Sequence, residues 1–126
     1  MEQSITWLAV FLGGGLGSVA RFGTSVLVVN KFKSQLPWAT LIANVLASLV
    51  LIWAVNKLAE GGLPAWFKPL VLVGFCGGFS TFSTFSYEIL LLAKSNQWGW
   101  ALANVLVSVL ICVGLMWMLY KSNLNT

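Results

Sequence analysis

Two charged side chains lie inside long apolar stretches of this sequence. Glu88 is the only acidic residue well inside such a stretch, and Arg21 lies late in the first one. A charged group in apolar surroundings is costly, so it is by default a candidate for a functional site. Glu88 could alternatively cap a helix end. Arg21 could extend to a membrane interface or attract anions to a vestibule.

Polar residues in two other apolar stretches recur at every fourth position, which places them on one face of a helix. The two sets are Thr40, Asn44 and Ser48, and Asn104, Ser108 and Cys112. Two such faces indicate either a shared hydrophilic path or hydrogen bonds between helices, each worth about 0.5–2 kcal/mol. The spacing alone leaves both readings open.

The stretch from Gly74 to Glu88 combines glycines with a run of hydroxyl residues. This composition weakens a helix, and irregular backbone at membrane depth is tolerated only where it is buried in protein or faces a cavity. Freed carbonyls there could coordinate a cation, and freed amides could face an anion. Phe82 and Phe85 are three residues apart, so we expect their rings on one face. Thr81, Thr84 and Glu88 follow the same period on a neighbouring face.

Catalysis is not expected. The sequence contains no His, and Glu88 has no second buried acid to work with. Cys76 and Cys112 sit inside apolar segments and form no CxxC pair, so neither a disulfide nor a metal cluster is expected.

The elements that carry these residues are apolar enough for lipid. Hydrophobic residues make up 59% of the chain and charged residues 8%, whereas soluble domains carry about 25% charged residues. Segments of about 20 apolar residues span a membrane, and four are predicted: Ile5–Val29, Trp38–Val55, Phe67–Ala93 and Trp98–Tyr120. The sequence therefore predicts an all-α integral membrane protein, with one four-helix transmembrane domain over residues 1–126 and a third helix broken near its middle.

Two further expectations follow from the charges. The residues before Ile5 lack the basic region of a signal peptide, so the first segment is expected to be a retained helix. The formal net charge is +4, but the basic residues are scattered singly between apolar runs. That pattern is typical of loop and interface anchoring rather than of nucleic-acid binding.

Positive residues are shared equally between the two ends of the predicted bundle. One end carries Lys57, Lys68 and Lys121, and the other carries Lys31, Lys33 and Lys94. Because positive residues in short loops set membrane orientation, a tie predicts no preferred orientation. The tie is either a chance result of a small count or a sign of dual topology, in which inverted copies pair around a twofold axis in the membrane plane.

The stretch Gly13–Phe22, Asn44 and the run from Gly74 to Glu88 together resemble the CrcB/Fluc family of fluoride channels. The resemblance covers all four predicted helices in order and spacing. It implies an antiparallel, dual-topology homodimer with two pores, embedded in the lipid bilayer of a bacterial inner membrane. It also implies passive export of fluoride and resistance to it.

The resemblance also implies roles for individual residues. Phe82 and Phe85 match the pore phenylalanines, whose ring edges carry partial positive charge, and Asn44 matches the pore asparagine, whose amide can donate to an anion. The remaining matches are Ser108 and Cys112 on a polar track of the fourth helix, Ser83, Thr84 and Glu88 in a hydroxyl and carboxylate cluster of the conduction path, and Arg21 at a vestibule.

A structural sodium ion is a further implication of the resemblance. Backbone carbonyls of Gly77 and Ser80 from both subunits would hold it at the dimer interface. The sequence departs from the family pattern at three positions. Ser80 stands where Thr is usual, Cys112 is a weaker donor than a hydroxyl, and Asn104 occupies a variable position.

Two other functions fit a chain of this kind less well. A proton-coupled small multidrug exporter is also four-helical and antiparallel, but it needs a carboxylate buried in the first helix, which here has only Glu2 at its outer end. A non-transporting assembly subunit would need neither two polar faces nor a broken third helix.

Overall fold

The structure, a computed structural model, describes residues 2–33 and 36–124, with the backbone alone for residues 121–124. Every regular element in this part of the chain is helical. The elements are α1 (Glu2–Phe32), α2 (Trp38–Glu60), a π-helical segment (Pro69–Cys76) that continues into α3 (Gly77–Phe79), α4 (Phe82–Lys94) and α5 (Trp98–Leu124).

Four helical spans are long and apolar enough to cross a membrane, as predicted. They are Glu2–Phe32, Trp38–Glu60, Pro69–Lys94 and Trp98–Tyr120. The third combines the π-helical segment, α3 and α4, and is called the third span below. The outer surfaces of α1 and α5 expose large apolar side chains such as Phe11 and Leu110, which suits contact with lipid.

The first two helices are longer than predicted. Residues 30–32 and 56–60 lie beyond the predicted ends at Val29 and Val55, but they are helical. Polar residues can continue a helix beyond the apolar core, and these helices end only where the backbone turns. Lys33 and Gly61 have φ angles of 44° and 82°, in the left-handed region that ends many helices. Ser34, which lies between the first two predicted spans, is outside the described residues.

Glycines bring α1 and the third span into close backbone contact. A Cβ atom at Gly13 would overlap the carbonyl oxygen of Leu70, and one at Gly17 would overlap that of Phe75. From the other side, a Cβ at Gly74 would lie 2.8 Å from the carbonyl oxygen of Val10. Small residues spaced by four, such as Gly13 and Gly17, therefore let the two helices pack closely.

The third span is broken at Ser80 and Thr81, which confirms the predicted interruption. Ser80 has φ −79° and ψ 155°, and Thr81 has φ −150° and ψ 123°, so both are extended. The side-chain oxygen of Thr81 accepts a hydrogen bond from the Thr84 amide at 3.2 Å and starts α4. The preceding Gly77 and Gly78 remain helical, so the break falls on the hydroxyl residues that can bond the freed backbone.

Candidate functional site

A cleft of about 320 Å³ lies beside the break in the third span. Residues of α2, the break, α4 and α5 form its walls. They are Asn44, Ser48, Ser80, Thr81, Phe82, Phe85, Ser108, Val109, Cys112 and Val113. The cleft thus joins four of the six residues of the two polar faces with both predicted pore phenylalanines.

Phe82 and Phe85 lie together at this cleft. Their ring centroids are 5.9 Å apart and the ring planes are inclined by 37°, so the expected pairing is present with tilted rings. Phe85 is partly buried, whereas Phe82 is 80% exposed although it lies near the middle of the third span. The Phe82 ring therefore stands free of its own chain at membrane depth.

Asn44 is bonded to the break rather than being free in the cleft. Its Oδ1 accepts the Thr81 amide at 2.8 Å, and its Nδ2 donates to the Thr81 carbonyl over a longer 3.4 Å. The side chain thereby satisfies the backbone that the interrupted helix leaves unpaired. Because a carboxamide carries two donors, the second N–H of Asn44, a residue of the cleft wall, makes no hydrogen bond to a described residue.

The break also releases the carbonyls of Gly77 and Ser80 from the helical pattern. In a continuous helix these carbonyls would accept the amides of Thr81 and Thr84, four residues later. The Thr81 amide instead donates to Asn44, and the Thr84 amide donates to the Thr81 side chain. Gly77 is also exposed. The carbonyl oxygens of Gly77 and Ser80 are therefore suitable ligands for a small hard cation such as Na⁺.

Arg21 lies at the break and not in the cleft lining. Its Nε donates to the Gly78 carbonyl at 3.2 Å. This carbonyl belongs to the last turn of α3, where helix carbonyls carry partial negative charge. The guanidinium therefore joins α1 to the end of the first half of the third span. Its other N–H groups make no hydrogen bond to the described residues.

Glu88 is bonded to α2. Thr40 Oγ1 donates to Glu88 Oε1 at 2.6 Å, whereas Glu88 Oε2 is buried and has no hydrogen bond in the described part of the chain. Glu88 lines a separate crevice of about 250 Å³ that also contacts Val28, Trp38 and Leu92. The carboxylate therefore sits between two helices, away from the cleft.

The resemblance implies a cluster of Ser83, Thr84 and Glu88. In the structure, Ser83 and Thr84 contact one set of partners and Glu88 another. Ser83 Oγ lies 3.3 Å from Thr81 Oγ1, and Thr84 bonds the same oxygen through its amide. Within the described residues, no hydrogen bond joins either of them to Glu88.

The polar face of α5 is divided as well. Ser108 and Cys112 line the cleft, and Ser108 donates to Asn104 Oδ1 at 3.1 Å. Asn104 lines a small groove beside Trp38 and Trp100 instead. Its contribution to the cleft is therefore indirect, through the Ser108 hydroxyl.

Sequence reasoning missed two features of this site. The first is the hydrogen bond between Thr40 and Glu88. The four-residue spacing on α2 marked Thr40 as a polar residue of interest, but spacing along one helix does not predict a partner on another. The second is the presence of Val109 and Val113 in the cleft wall. No sequence signal distinguishes them, since apolar residues are common throughout membrane helices.

Comparison with known proteins assigns this arrangement to a family. The family model described as "CrcB-like protein, Camphor Resistance (CrcB)" matches residues 8–120. The chain belongs to the CrcB-like family. A CrcB-like relative from Rhodospirillum rubrum is 37% identical over 117 residues, which cover 90% of this chain and 91% of the relative.

Two other CrcB-like relatives, from Salmonella arizonae and Salmonella newport, are each 44% identical over 107 residues. These cover 82% of the chain and 81% of either relative. All three relatives are named "Fluoride-specific ion channel FluC". The predicted family is confirmed, and the chain is a multi-pass membrane protein of a family of ion channels and not an enzyme.

Proposed function

We propose that this CrcB-like chain is a subunit of a fluoride-selective channel in a bacterial inner membrane. The channel exports cytoplasmic fluoride passively and thereby gives resistance to it. The names of the relatives support fluoride as the ion. The observation that carries the proposal is the cleft at the break, where two phenylalanine rings and the polar groups of α2 and α5 meet near mid-span.

The cleft offers the kinds of group that a fluoride path needs. Fluoride is small and strongly hydrated, so a selective pore must replace its water with donors and still release it. The free N–H of Asn44 and the ring edges of Phe82 and Phe85 are such donors. Cys112 adds a weak thiol donor, and the Ser108 hydroxyl can turn from Asn104 toward an ion.

Passive export needs no coupled reaction. An inside-negative potential contributes about 2.3 kcal/mol per charge at 100 mV in favour of anion exit. Arg21 and the positive end of α4 add electrostatic attraction near the break. Glu88 and Thr40, with Ser83 and Thr84, form a polar continuation of the path along α4 in this proposal.

The working channel is an antiparallel homodimer with two pores. One support is the equal division of lysines between the two ends of the bundle. The other is Phe82, which is 80% exposed beside a cleft that its own chain leaves open. A second, inverted copy would cover this ring and close both clefts by the same contact.

A structural sodium ion fits the dimer contact. The carbonyls of Gly77 and Ser80 would hold it, because their helical partners are bonded elsewhere. The ion would supply positive charge that holds the two breaks together.

The central experiment measures ion flux from proteoliposomes. Purified protein is reconstituted in liposomes loaded with potassium fluoride or potassium chloride, and efflux starts when valinomycin carries the potassium. We expect rapid fluoride efflux and retained chloride, with protein-free liposomes as the control. Equal efflux of both ions, or efflux of neither, would contradict the proposal.

A labelling experiment tests the orientation. Single cysteines at Gly62 or Gln97, in connections at opposite ends, are introduced into a chain in which Cys76 and Cys112 are replaced by alanine and serine. An impermeant thiol reagent applied to intact cells should label a similar fraction of each variant. Labelling of one variant alone would show a single orientation and overturn the dual topology.

A further inference from the structure

One face of α4 carries hydroxyl groups that its own chain leaves uncovered. Ser83, Ser86 and Tyr87 are exposed, although they belong to the third span. Tyr87 is 59% exposed. A hydroxyl that its own helix does not satisfy is costly to leave in hydrocarbon, because hydrocarbon offers it no hydrogen-bonding partner. This face therefore meets another chain, water or an ion.

The three hydroxyls differ in whether their proton is available. Ser86 Oγ donates to the Phe82 carbonyl at 2.8 Å, so its proton is used within the helix. Ser83 Oγ shares a hydrogen bond with Thr81 Oγ1 at 3.3 Å. Tyr87 makes no hydrogen bond to any described residue. Since an anion binds donors rather than acceptors, the Tyr87 hydroxyl can donate to one without giving up a hydrogen bond to a described residue.

The direction of the side chain places the phenol toward the middle of the span. Helical side chains lean toward the N-terminus of their helix, and the N-terminus of α4 is at the break. Lys94 is the last residue of α4. Tyr87 lies seven residues before it, or about 10 Å from the end of the span along the helix axis. The ring therefore leans toward Ser83, one turn earlier, and away from the membrane surface.

We propose that the Tyr87 hydroxyl is a further fluoride-binding donor, one helical turn beyond Ser83 on the path along α4. The proposal rests on the proposed channel function. It extends the path from the phenylalanine rings at the break toward the Lys94 end of the third span. Ser83 and Tyr87 would offer the ion successive partners, which favours its release from the rings.

The test removes the phenolic oxygen alone. Tyr87→Phe keeps the ring, so packing and lipid contact stay the same. Tyr120→Phe is the matched control, because Tyr120 is an exposed tyrosine at the end of the fourth span. Fluoride and chloride efflux are measured over a range of fluoride concentrations, and the dimer fraction is measured by chemical cross-linking in the same liposomes.

We expect Tyr87→Phe to lower fluoride efflux at low concentration by about tenfold, as for the loss of one hydrogen bond to a charged group. Its dimer fraction should be unchanged and Tyr120→Phe should match the wild type. Wild-type efflux from Tyr87→Phe would overturn the proposal. A loss of efflux that follows a loss of dimer would also overturn it, because the hydroxyl would then be a subunit contact. Failure of the wild type to move fluoride would instead refute the channel function.

Discussion

Asn44 and Thr81 are joined by two hydrogen bonds across the break in the third span. The Thr81 amide donates to Asn44 Oδ1 at 2.8 Å, and Asn44 Nδ2 donates to the Thr81 carbonyl at 3.4 Å. A side chain of α2 thus takes the place of the helical partners that an uninterrupted span would provide. The shape of the cleft depends on this contact, because Phe82 follows Thr81 directly.

Replacing Asn44 by leucine should damage both stability and transport. Asn44→Leu keeps the approximate side-chain size but leaves the Thr81 amide without an acceptor, at a cost of about 1–3 kcal/mol. We expect a lower unfolding temperature in detergent and loss of fluoride efflux. Thr24→Ala is the control, since the Thr24 hydroxyl donates to the Ala20 carbonyl of its own helix and Thr24 does not line the cleft. Equal behaviour of the two variants would show that Asn44 does not support the break.

The exposed ring of Phe82 allows its transport role to be separated from folding. Phe82→Ile should lower fluoride efflux by about tenfold, through the loss of a ring edge near the ion. It should leave the fold of the single chain nearly unchanged, because the side chain is 80% exposed there, and the dimer fraction measured by cross-linking should stay that of the wild type. Phe22→Ile, on the exposed surface of α1 and outside the cleft, is the control for general effects. Unchanged efflux would remove the Phe82 ring from the path.

Phe85→Ile should also reduce efflux, with a different stability profile. Phe85 is partly buried and lies beside Phe82 at 5.9 Å between ring centroids. We expect a measurable decrease in the unfolding temperature of the purified protein in addition to the loss of transport. If both phenylalanine variants conduct fluoride as the wild type does, the pair has no part in the mechanism.

Thr40 and Glu88 should behave as a coupled pair. Thr40→Val removes the donor 2.6 Å from Glu88 Oε1, and Oε2 already lacks a partner among the described residues. The single change should therefore cost about 1–3 kcal/mol of stability. Combining it with Glu88→Leu should cost less than the sum of the single changes, since both polar partners are then absent. Additive losses in unfolding measurements would argue against the pair.

Two glycines of α1 should respond differently to the same substitution. A Cβ at Gly17 would overlap the Phe75 carbonyl and lie 2.9 Å from the Phe79 amide nitrogen, whereas a Cβ at Gly15 meets nothing within 4 Å. Gly17→Ala should destabilise the protein by about 1–3 kcal/mol, because backbone on both sides has to move. Gly15→Ala should fold as the wild type does. Similar thermal unfolding of the two variants would contradict this packing.

The sequence was sufficient for the spans but not for their ends. Hydropathy predicted all four spans, because lipid demands about 20 apolar residues in each. It missed the helical residues 30–32 and 56–60, since polar residues can extend a helix into the interface. The backbone turns at Lys33 and Gly61, which end these helices, are local conformations that hydropathy does not report.

The candidate site was predictable in composition and less so in contacts. The period of four brought Asn44 and Ser48 to the same cleft as Ser108 and Cys112, because such spacing aligns side chains on one helix face. It did not reveal that Thr40 meets Glu88, since the partner lies on another helix and depends on how the two pack. The roles of Phe82 and of the Gly77 and Ser80 carbonyls depend on a second copy, and remain predictions.

The hydrogen bonds at the break bear on the order of events during biogenesis. Asn44, Arg21 and the Thr81 side chain all come from the same polypeptide as the backbone groups that they bond. A newly inserted monomer therefore needs no partner subunit to satisfy the hydrogen bonds of those backbone groups in the bilayer. Each copy can therefore form the break alone, and in the proposed antiparallel dimer it would meet an oppositely inserted copy afterwards by lateral diffusion.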